Sequence, residues 1–144
     1  MFSEYELYFQ LILAVILGSL LGFERYLAHK TAGMRTFALV TLGATVFTIV
    51  SQVNAADPTR ISAQVVAGIG FLGAGLIIFR GDSNNRERVH GLTTAAGLWV
   101  AAAIGLAIGF QFYAISIAAT ALALIIFTVF WFVEHRFPRK GGST

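Results

Sequence analysis

The chain has 144 residues, of which 57% are hydrophobic and only 12% are charged, and its mean hydropathy is +0.77. Soluble globular domains carry roughly 25% charged residues, so this composition excludes an ordinary soluble domain and indicates an integral membrane protein. The absence of cysteine excludes disulfides and thiolate chemistry. The net charge of +3 comes from basic residues in short loops, so it does not indicate nucleic-acid binding.

Five apolar segments follow one another along the chain, each close to the ~20 residues that a helix needs to cross a bilayer. None alternates polar and apolar residues as the strands of a membrane barrel do. The sequence therefore predicts an all-α, polytopic membrane bundle of five transmembrane helices. The predicted segments are 8–23, 36–53, 61–79, 93–109 and 113–133.

The loops predict the orientation of this bundle. Nine of the ten Lys and Arg residues fall in the first connection, the third connection and the C-terminal tail, and only Arg60 falls on the opposite side. Because positive loops stay in the cytoplasm, we expect the N-terminus outside and the C-terminus inside. Residues 1–137 are expected to form a single transmembrane domain, and residues 138–144 a short cytoplasmic tail.

The stretch GIGFLGAG at 68–75 contains the spacing G-x-G-x-x-G. A dinucleotide-binding turn needs a strand before these glycines and a helix that begins among them. Here they lie inside an apolar segment, where an open turn would leave backbone groups unpaired at a cost of roughly several kcal/mol each. The glycines therefore predict close helix packing rather than a nucleotide site. A kink beside a ligand at Gly73 or Gly75 is the alternative.

Small residues recur at helical spacing in three segments, as expected where backbones of neighbouring helices approach closely in lipid. In the third segment Ala63, Ala67, Gly70 and Ala74 share one face. Trp99 is expected to be a packing residue or an interface anchor. The full set of predicted packing residues is Gly18, Gly22, Gly68, Gly70, Gly73, Gly75, Gly97, Gly105 and Trp99.

A polar cluster is predicted at the cytoplasmic face, because ionisable groups at a membrane boundary are costly and often functional. Glu24 ends the first helix, and two helix N-termini, with Thr93-Thr94 as the expected cap of the fourth helix, supply partial positive charge there. In one interpretation Glu24 is the counter-charge of these N-termini and pairs with Arg25 or Arg35. In another, the N-termini and Arg35 bind an anion such as a phosphate or lipid headgroup. A purely structural lock between helix ends is the third interpretation. The predicted cluster is Glu24, Arg25, Arg35, Thr36, Thr93 and Thr94.

A second polar group, Asp57, Arg60 and Gln64, opens the third helix on the outer side. Asp57 precedes a proline, which is typical of a helix N-cap, and its spacing to Arg60 suits an ion pair. A weak magnesium site with Glu4 and Glu6 is the alternative to the cap. The histidines lack ligand spacing, so no metal site and no cofactor are predicted.

Several stretches in order resemble the membrane domain of the MgtC/SapB family. They are GFER at 22–25, AGMRT at 32–36, DPTRISAQ at 57–64, GIGFLGAG at 68–75 and VHGLTTAA at 89–96, followed by Trp99. The resemblance implies a multi-pass protein of the bacterial inner membrane that acts in adaptation to magnesium limitation or acid stress, and it implies the F-type ATP synthase as a partner complex. It covers the membrane domain only, and the ACT-like C-terminal domain of many relatives is expected to be absent.

The sequence differs from the best-known members of this family at Thr93 and Val100. Those members carry an Asn and a Cys at these positions, and both residues are linked to virulence. A virulence role is therefore not expected to carry over. Two functions remain: a regulatory protein that binds a larger complex, a second copy or lipid through its helices, and a transporter or channel for Mg²⁺ or a small solute. A path for Mg²⁺ would be expected to contain an intramembrane carboxylate, whereas the helix centres carry mainly hydroxyls, at Ser19, Thr41, Thr45, Thr48, Ser116 and Thr120. No nucleophile has a plausible base, so an enzyme is not predicted.

Overall fold

The computed structural model describes residues 3–54, 57, 59–81 and 87–136. It contains five helices that are long and apolar enough to cross a membrane, which confirms the predicted helical membrane bundle. The orientation across the bilayer stays a prediction. The helices are α1 Glu4–Leu27, α2 Met34–Asn54, α3 Thr59–Leu76, α4 Leu92–Gly109 and α5 Tyr113–Ile125, and α5 continues through a π-helical turn, Ile126–Phe130, into α6 Trp131–Arg136.

A short antiparallel hairpin between α3 and α4 was not predicted. Strand β1, Ile78–Gly81, pairs with β2, Glu87–His90, so the third helix ends at Leu76 and not at residue 79. The cause lies at Gly91, whose φ is +94° and whose Cα faces the carbonyl oxygen of Leu76 so closely that a Cβ would collide with it. Glycine alone fits this left-handed, crowded position, and it lets the chain return from the hairpin directly into α4.

Helices α2 and α4 run through the middle of the bundle, and α3 lies at its edge. Half of the α4 span is buried inside the molecule, whereas only 11% of the α3 span is buried. The buried apolar core includes Leu21 of α1, Phe37 of α2, and Leu98 and Ile104 of α4. The α3 helix therefore contributes little to the core, and most of its surface is not covered by the rest of the described chain.

Glycines on α1 and α4 lie where the neighbouring backbone of α2 leaves no space. A Cβ at Gly18 would lie 2.7 Å from the Thr41 hydroxyl, and a Cβ at Gly22 would lie 2.5 Å from the Cα of Met34. A Cβ at Gly105 would collide with the carbonyl oxygen of Thr41. These contacts are of the kind that the small-residue spacing predicts, since association of helices in lipid depends on close backbone approach.

A row of hydroxyls on α2 faces α4. Thr41, Thr45 and Thr48 are fully buried, and each donates to the carbonyl oxygen four residues earlier at 2.8–3.0 Å. The Thr45 hydroxyl also lies 2.9 Å from the carbonyl oxygen of Gly105. The interior hydroxyls of α2 are therefore satisfied by backbone carbonyls, and they join α2 to α4.

Three of the predicted packing glycines of α3 do not pack against another helix of the described chain. Apart from the adjacent backbone of α3 itself, no atom of the described chain lies within 4 Å of a Cβ placed at Gly68, Gly70 or Gly75, and at Gly73 the nearest such atom is the Ala95 Cβ at 3.6 Å. Trp99 is also half exposed, at 52%. The physical reason is the peripheral position of α3. Gly70 and Gly75 of α3 and Trp99 of α4 are exposed, and Gly68 lines an open groove beside α2, whereas Gly73 is buried against α4.

Candidate functional site

A buried arginine marks the end of the bundle that holds the α1–α2 connection. Arg25, near the end of α1, is only 2% exposed. Its Nε donates to the Glu24 carboxylate, and its Nη2 donates to Glu24 Oε1 at 2.8 Å. Because removing a charge from water is costly unless it is paired, this two-point contact is what makes the burial of Arg25 tolerable.

One face of the Arg25 guanidinium packs on an aromatic ring. The Arg25 Cζ is 3.9 Å from the ring centroid of Phe127, which lies in the π-helical turn of the fifth span. Space for this ring is created by α4, since a Cβ at Gly97 would lie 2.7 Å from the Phe127 Cζ and 3.1 Å from the Phe37 Cζ. π-helical turns often occur at functional sites, and this one aligns Phe127 with the buried charge.

A cavity of about 550 Å³ opens beside this arginine. Three basic side chains, Arg25, Lys30 and His90, line it together with Thr93 and Thr94. No acidic side chain of the described residues is among its lining. The cavity is therefore a basic, hydroxyl-containing space, and we call it the basic cavity.

The start of α4 forms one wall of the basic cavity. The helix begins at Leu92 with Gly91 as its N-cap, and no side chain caps it, so the expected cap at Thr93-Thr94 is wrong. Because Gly91 occupies the cap position, both threonines lie within the first turn and line the cavity. The first backbone N–H groups of α4 receive no side-chain acceptor from the cap, and they carry the partial positive charge of a helix N-terminus.

The predicted cytoplasmic cluster is thus divided. Arg25, Thr93 and Thr94 line the basic cavity, and Glu24 reaches it only through Arg25. Arg35 and Thr36 are exposed at the start of α2 and are not part of the lining.

Sequence reasoning missed Lys30, His90 and Phe127 as members of this site. His90 depends on the hairpin that carries it, and Phe127 depends on a π-helical turn that does not interrupt the apolar pattern. Neither residue therefore gave a signal in the sequence.

At the opposite end of the bundle, Asp57 caps α3. Its Oδ1 accepts hydrogen bonds from the Thr59 hydroxyl at 2.6 Å and the Thr59 backbone N–H at 2.9 Å. These two bonds lower the pKa of Asp57, and the charge of Arg60 lowers that pKa further. Among the described residues no group of three His, Cys, Asp or Glu side chains could hold a metal ion.

Two further contacts at this same end were not predicted. Gln10 of α1 is fully buried, and its Nε2 donates to the Tyr113 hydroxyl at 3.2 Å. Gln111 Nε2 donates to Glu6 Oε1 at 2.6 Å. Glu6, a ligand of the alternative weak magnesium site, is thus engaged with the α4–α5 connection.

Helix α3 has two open sides. A groove of about 540 Å³ separates it from α2, and Gln64 is the polar side chain among lining residues such as Gly43, Phe47 and Gly68. Elsewhere on α3 lies the predicted face of small residues, which we call the α3 stripe. It consists of Ala63, Ala67, Gly70 and Ala74, and all four are exposed.

Comparison with known proteins agrees with the resemblance seen in the sequence. A model of the MgtC family matches residues 11–136. YhiD of Escherichia coli (strain K12), whose name gives it a candidate role as a magnesium transporter, is 40% identical over 145 residues, covering 94% of this chain and 65% of YhiD. No solved structure matches the chain.

Two relatives that carry the family name agree with this result. Protein MgtC of Brucella abortus (strain 2308) is 48% identical over 115 residues, covering 78% of this chain and 45% of the relative. Protein MgtC of Salmonella typhimurium (strain 14028s / SGSC 2262) is 46% identical over 115 residues, covering 79% of this chain and 48% of the relative. The chain thus spans between 45% and 65% of the length of these three relatives. It belongs to the MgtC family.

Proposed function

We propose that this chain is a non-enzymatic regulatory protein of the bacterial inner membrane, which acts in adaptation to magnesium limitation or acid stress. It acts by binding a transmembrane helix of a larger membrane complex, and the F-type ATP synthase is the candidate complex. The family membership and the magnesium-related name of YhiD support the physiological setting. The observation that carries the mode of action is the exposure of the α3 stripe.

The α3 stripe has the properties of a helix-docking surface. Its four small residues recur at positions i, i+4, i+7 and i+11 of one helix. Apart from the adjacent backbone of α3, no atom of the described chain lies within 4 Å of the position that a Cβ would take at Gly70. In lipid, such small-residue faces allow the backbone of a second helix to approach closely. A face of this kind left uncovered by the chain itself is suited to a helix from another protein.

The interior of the bundle supports regulation over conduction. The buried hydroxyls of Thr41, Thr45 and Thr48 are bonded to backbone carbonyls, and the groove beside α3 is lined mainly by apolar side chains. The one buried charge of the described residues, Arg25, is positive. A strongly hydrated divalent cation needs oxygen ligands, usually including a carboxylate, and the carboxylate beside this arginine, Glu24, is already paired with it.

Complementation of growth at low magnesium tests this proposal. In a bacterium that lacks its own copy of the gene, the double variant Ala67→Leu/Gly70→Leu should fail to restore growth, because the larger side chains keep a partner helix at a distance. The variant should insert and fold normally, since both positions are exposed. The matched control is Ala118→Leu, an exposed small residue on α5, which should complement. Full complementation by the double variant would refute docking at the stripe.

The alternative, a transporter or channel for Mg²⁺ or a small solute, is suggested by the name of YhiD. Purified chain in liposomes that contain a magnesium-sensitive dye separates the two functions. We expect no magnesium entry above that of empty liposomes, because the bundle lacks an acidic interior path among the described residues. Entry that depends on the protein would establish transport and remove the regulatory proposal.

A further inference from the structure

The basic cavity is separate from the α3 stripe and has features of a ligand-binding site. It has room for a small charged group, at about 550 Å³. The Arg25–Glu24 pair is neutral as a whole, so Lys30 and the N-terminus of α4 provide the net positive potential. His90 is a further basic side chain in the lining.

We propose that the basic cavity binds a phosphate group, as carried by the headgroup of an anionic phospholipid or by free phosphate. A phosphate has acceptor oxygens in several directions, and this cavity offers donors from three elements. These are the guanidinium of α1, the ammonium group of Lys30 in the α1–α2 connection, and the hydroxyls and backbone N–H groups at the start of α4. Helix N-termini and guanidinium groups are both frequent phosphate ligands in proteins.

An unsatisfied hydroxyl points to the same conclusion independently of the helix N-terminus. Thr94 is only 4% exposed and lines the cavity, and no hydrogen bond of its hydroxyl to the described residues is found. Among the described residues the buried polar atoms without a partner are Gln10 Oε1 and Ser62 Oγ, so the unbonded Thr94 hydroxyl is open to the cavity and free to donate to a ligand there. Thr41, Thr45, Thr48 and Thr120 of this bundle all donate to the carbonyl four residues earlier. Thr94 is in the first turn of α4 and therefore has no such carbonyl of its own helix to use.

The rim of the cavity favours a lipid as the source of the phosphate. Ile126, Phe130 and Trp131 line the cavity, and each also has about half of its surface exposed on the membrane-spanning fifth helix, at 46–58%. A headgroup in the cavity would therefore place its acyl chains along these side chains. Free phosphate would leave them without a role in binding.

Trp131 provides a direct readout of binding. The chain has two tryptophans, so the Trp99→Phe variant leaves Trp131 as the single tryptophan, and Trp131 lines the cavity. This variant, purified in a neutral detergent, is titrated with phosphatidylglycerol, with phosphatidylcholine of the same acyl chains, and with inorganic phosphate. We expect a saturable emission change with phosphatidylglycerol at a concentration about tenfold lower than with phosphatidylcholine, because the choline group would be repelled by the basic cavity.

Three substitutions on this background localise the ligand. Lys30→Gln and Thr94→Val should each weaken phosphatidylglycerol binding about three- to tenfold, since each removes one charged or polar donor. The matched control is Arg35→Gln, which removes a charge from the exposed start of α2 outside the cavity lining and should leave binding unchanged. Circular dichroism and gel filtration confirm that each variant is folded.

The outcomes distinguish the two sources of the phosphate group, a lipid headgroup and free phosphate. A saturable change with inorganic phosphate alone, to which phosphatidylglycerol adds nothing, assigns the cavity to free phosphate; a requirement for phosphatidylglycerol assigns it to lipid. The proposal is overturned if phosphatidylcholine binds as tightly as phosphatidylglycerol. It is equally overturned if folded Lys30→Gln and Thr94→Val bind like the parent, or if Arg35→Gln weakens binding as much as they do.

Discussion

Gly105 occupies a point on α4 at which the backbone of α2 leaves no room for a side chain. A Cβ there would collide with the Thr41 carbonyl oxygen and lie 2.8 Å from the Ala44 Cβ. Gly105→Ala should therefore force α2 and α4 apart and lower the free energy of unfolding by about 1–3 kcal/mol. Chemical denaturation of the purified protein in detergent measures this change.

The matched control for Gly105 is Gly43 on α2, where a Cβ would have no atom of the described chain within 4 Å apart from the adjacent backbone of α2. Gly43→Ala should leave the free energy of unfolding unchanged or raise it by about 0.5–1 kcal/mol, because alanine is the better helix former. Equal losses of stability in Gly105→Ala and Gly43→Ala would contradict the role of close packing at Gly105, because alanine is the better helix former at both positions.

Acid should weaken the cap of α3 through Asp57. The Thr59 hydrogen bonds hold the pKa of Asp57 below its ordinary value of 3.8. The stabilisation by the carboxylate is therefore complete above pH 3.8 and is lost as the pH falls through the lower pKa of the folded state. Asp57→Ala should have a lower melting temperature than the wild type at pH 6, and the difference should shrink below pH 3.8. A difference that grows on acidification would contradict this role.

At the residue scale the sequence predicts small-residue faces but not what covers them. Gly18 and Gly105 lie within close contacts, whereas Gly68 and Gly70 have no neighbour within 4 Å, and all four carry the same signal of helical spacing. Spacing indicates that a backbone can be approached. It does not say whether the approaching helix belongs to the same chain.

Helix α2 is joined to α4 by polar contacts within an apolar bundle. Thr45 connects the two helices through the Gly105 carbonyl at 2.9 Å, and Gln52 Nε2 donates to the Gly109 carbonyl at 2.6 Å. Thr45→Val keeps the side-chain shape and removes the donor. It should lower the free energy of unfolding in detergent by about 0.6 kcal/mol, the average for interhelical hydrogen bonds in membranes, and by no more than their maximum of about 1.7 kcal/mol.

Thr36 is the matched control for Thr45, because its side chain is exposed at the start of the same helix. Thr36→Val should change the unfolding free energy by less than about 0.5 kcal/mol, as exposed substitutions usually do. If Thr45→Val changes the free energy of unfolding as little as Thr36→Val does, the row of hydroxyls on α2 contributes no net stability.

The π-helical turn of the fifth span positions Phe127 against Arg25. Phe127→Leu keeps an apolar side chain and removes the aromatic face, so it should cost about 1–2 kcal/mol of stability through the lost cation–π contact and packing. The matched control is Phe132→Leu, because Phe132 is 64% exposed. Denaturation in detergent compares the two, and a larger loss for Phe132→Leu would contradict the role given to Phe127.

At the element scale the five spans follow from hydropathy, but the hairpin and the π-helical turn do not. The run Ile77-Ile-Phe79 is apolar in helix and strand alike, so hydropathy alone extends α3 across it. The end of α3 depends instead on Gly91, well beyond Leu76 in the chain, whose positive φ brings the backbone back to that helix end. Such a contact, distant in sequence, is not visible in a local pattern.

The whole molecule is a central packing of α1, α2 and α4 with α3 at one edge. The most buried spans hold the fold together, and α3, with 11% of its span buried, carries the stripe that we propose as a docking surface. The basic cavity lies at the opposite end of α3 from the Asp57 cap, beside the hairpin that follows Leu76. The two proposed binding surfaces therefore use different parts of the molecule and can fail independently of each other.

Photo-crosslinking in cells grown at low magnesium tests the central claim that the α3 stripe binds a helix of another protein. A photoreactive residue at Ala67 should give one discrete adduct with a membrane-complex subunit, identified by mass spectrometry, and Gly70→Leu should abolish it. The same residue at Ala118, an exposed small position on α5, should give no protein adduct. If position 67 reacts only with lipid or with a second copy of this chain, the proposed docking is contradicted.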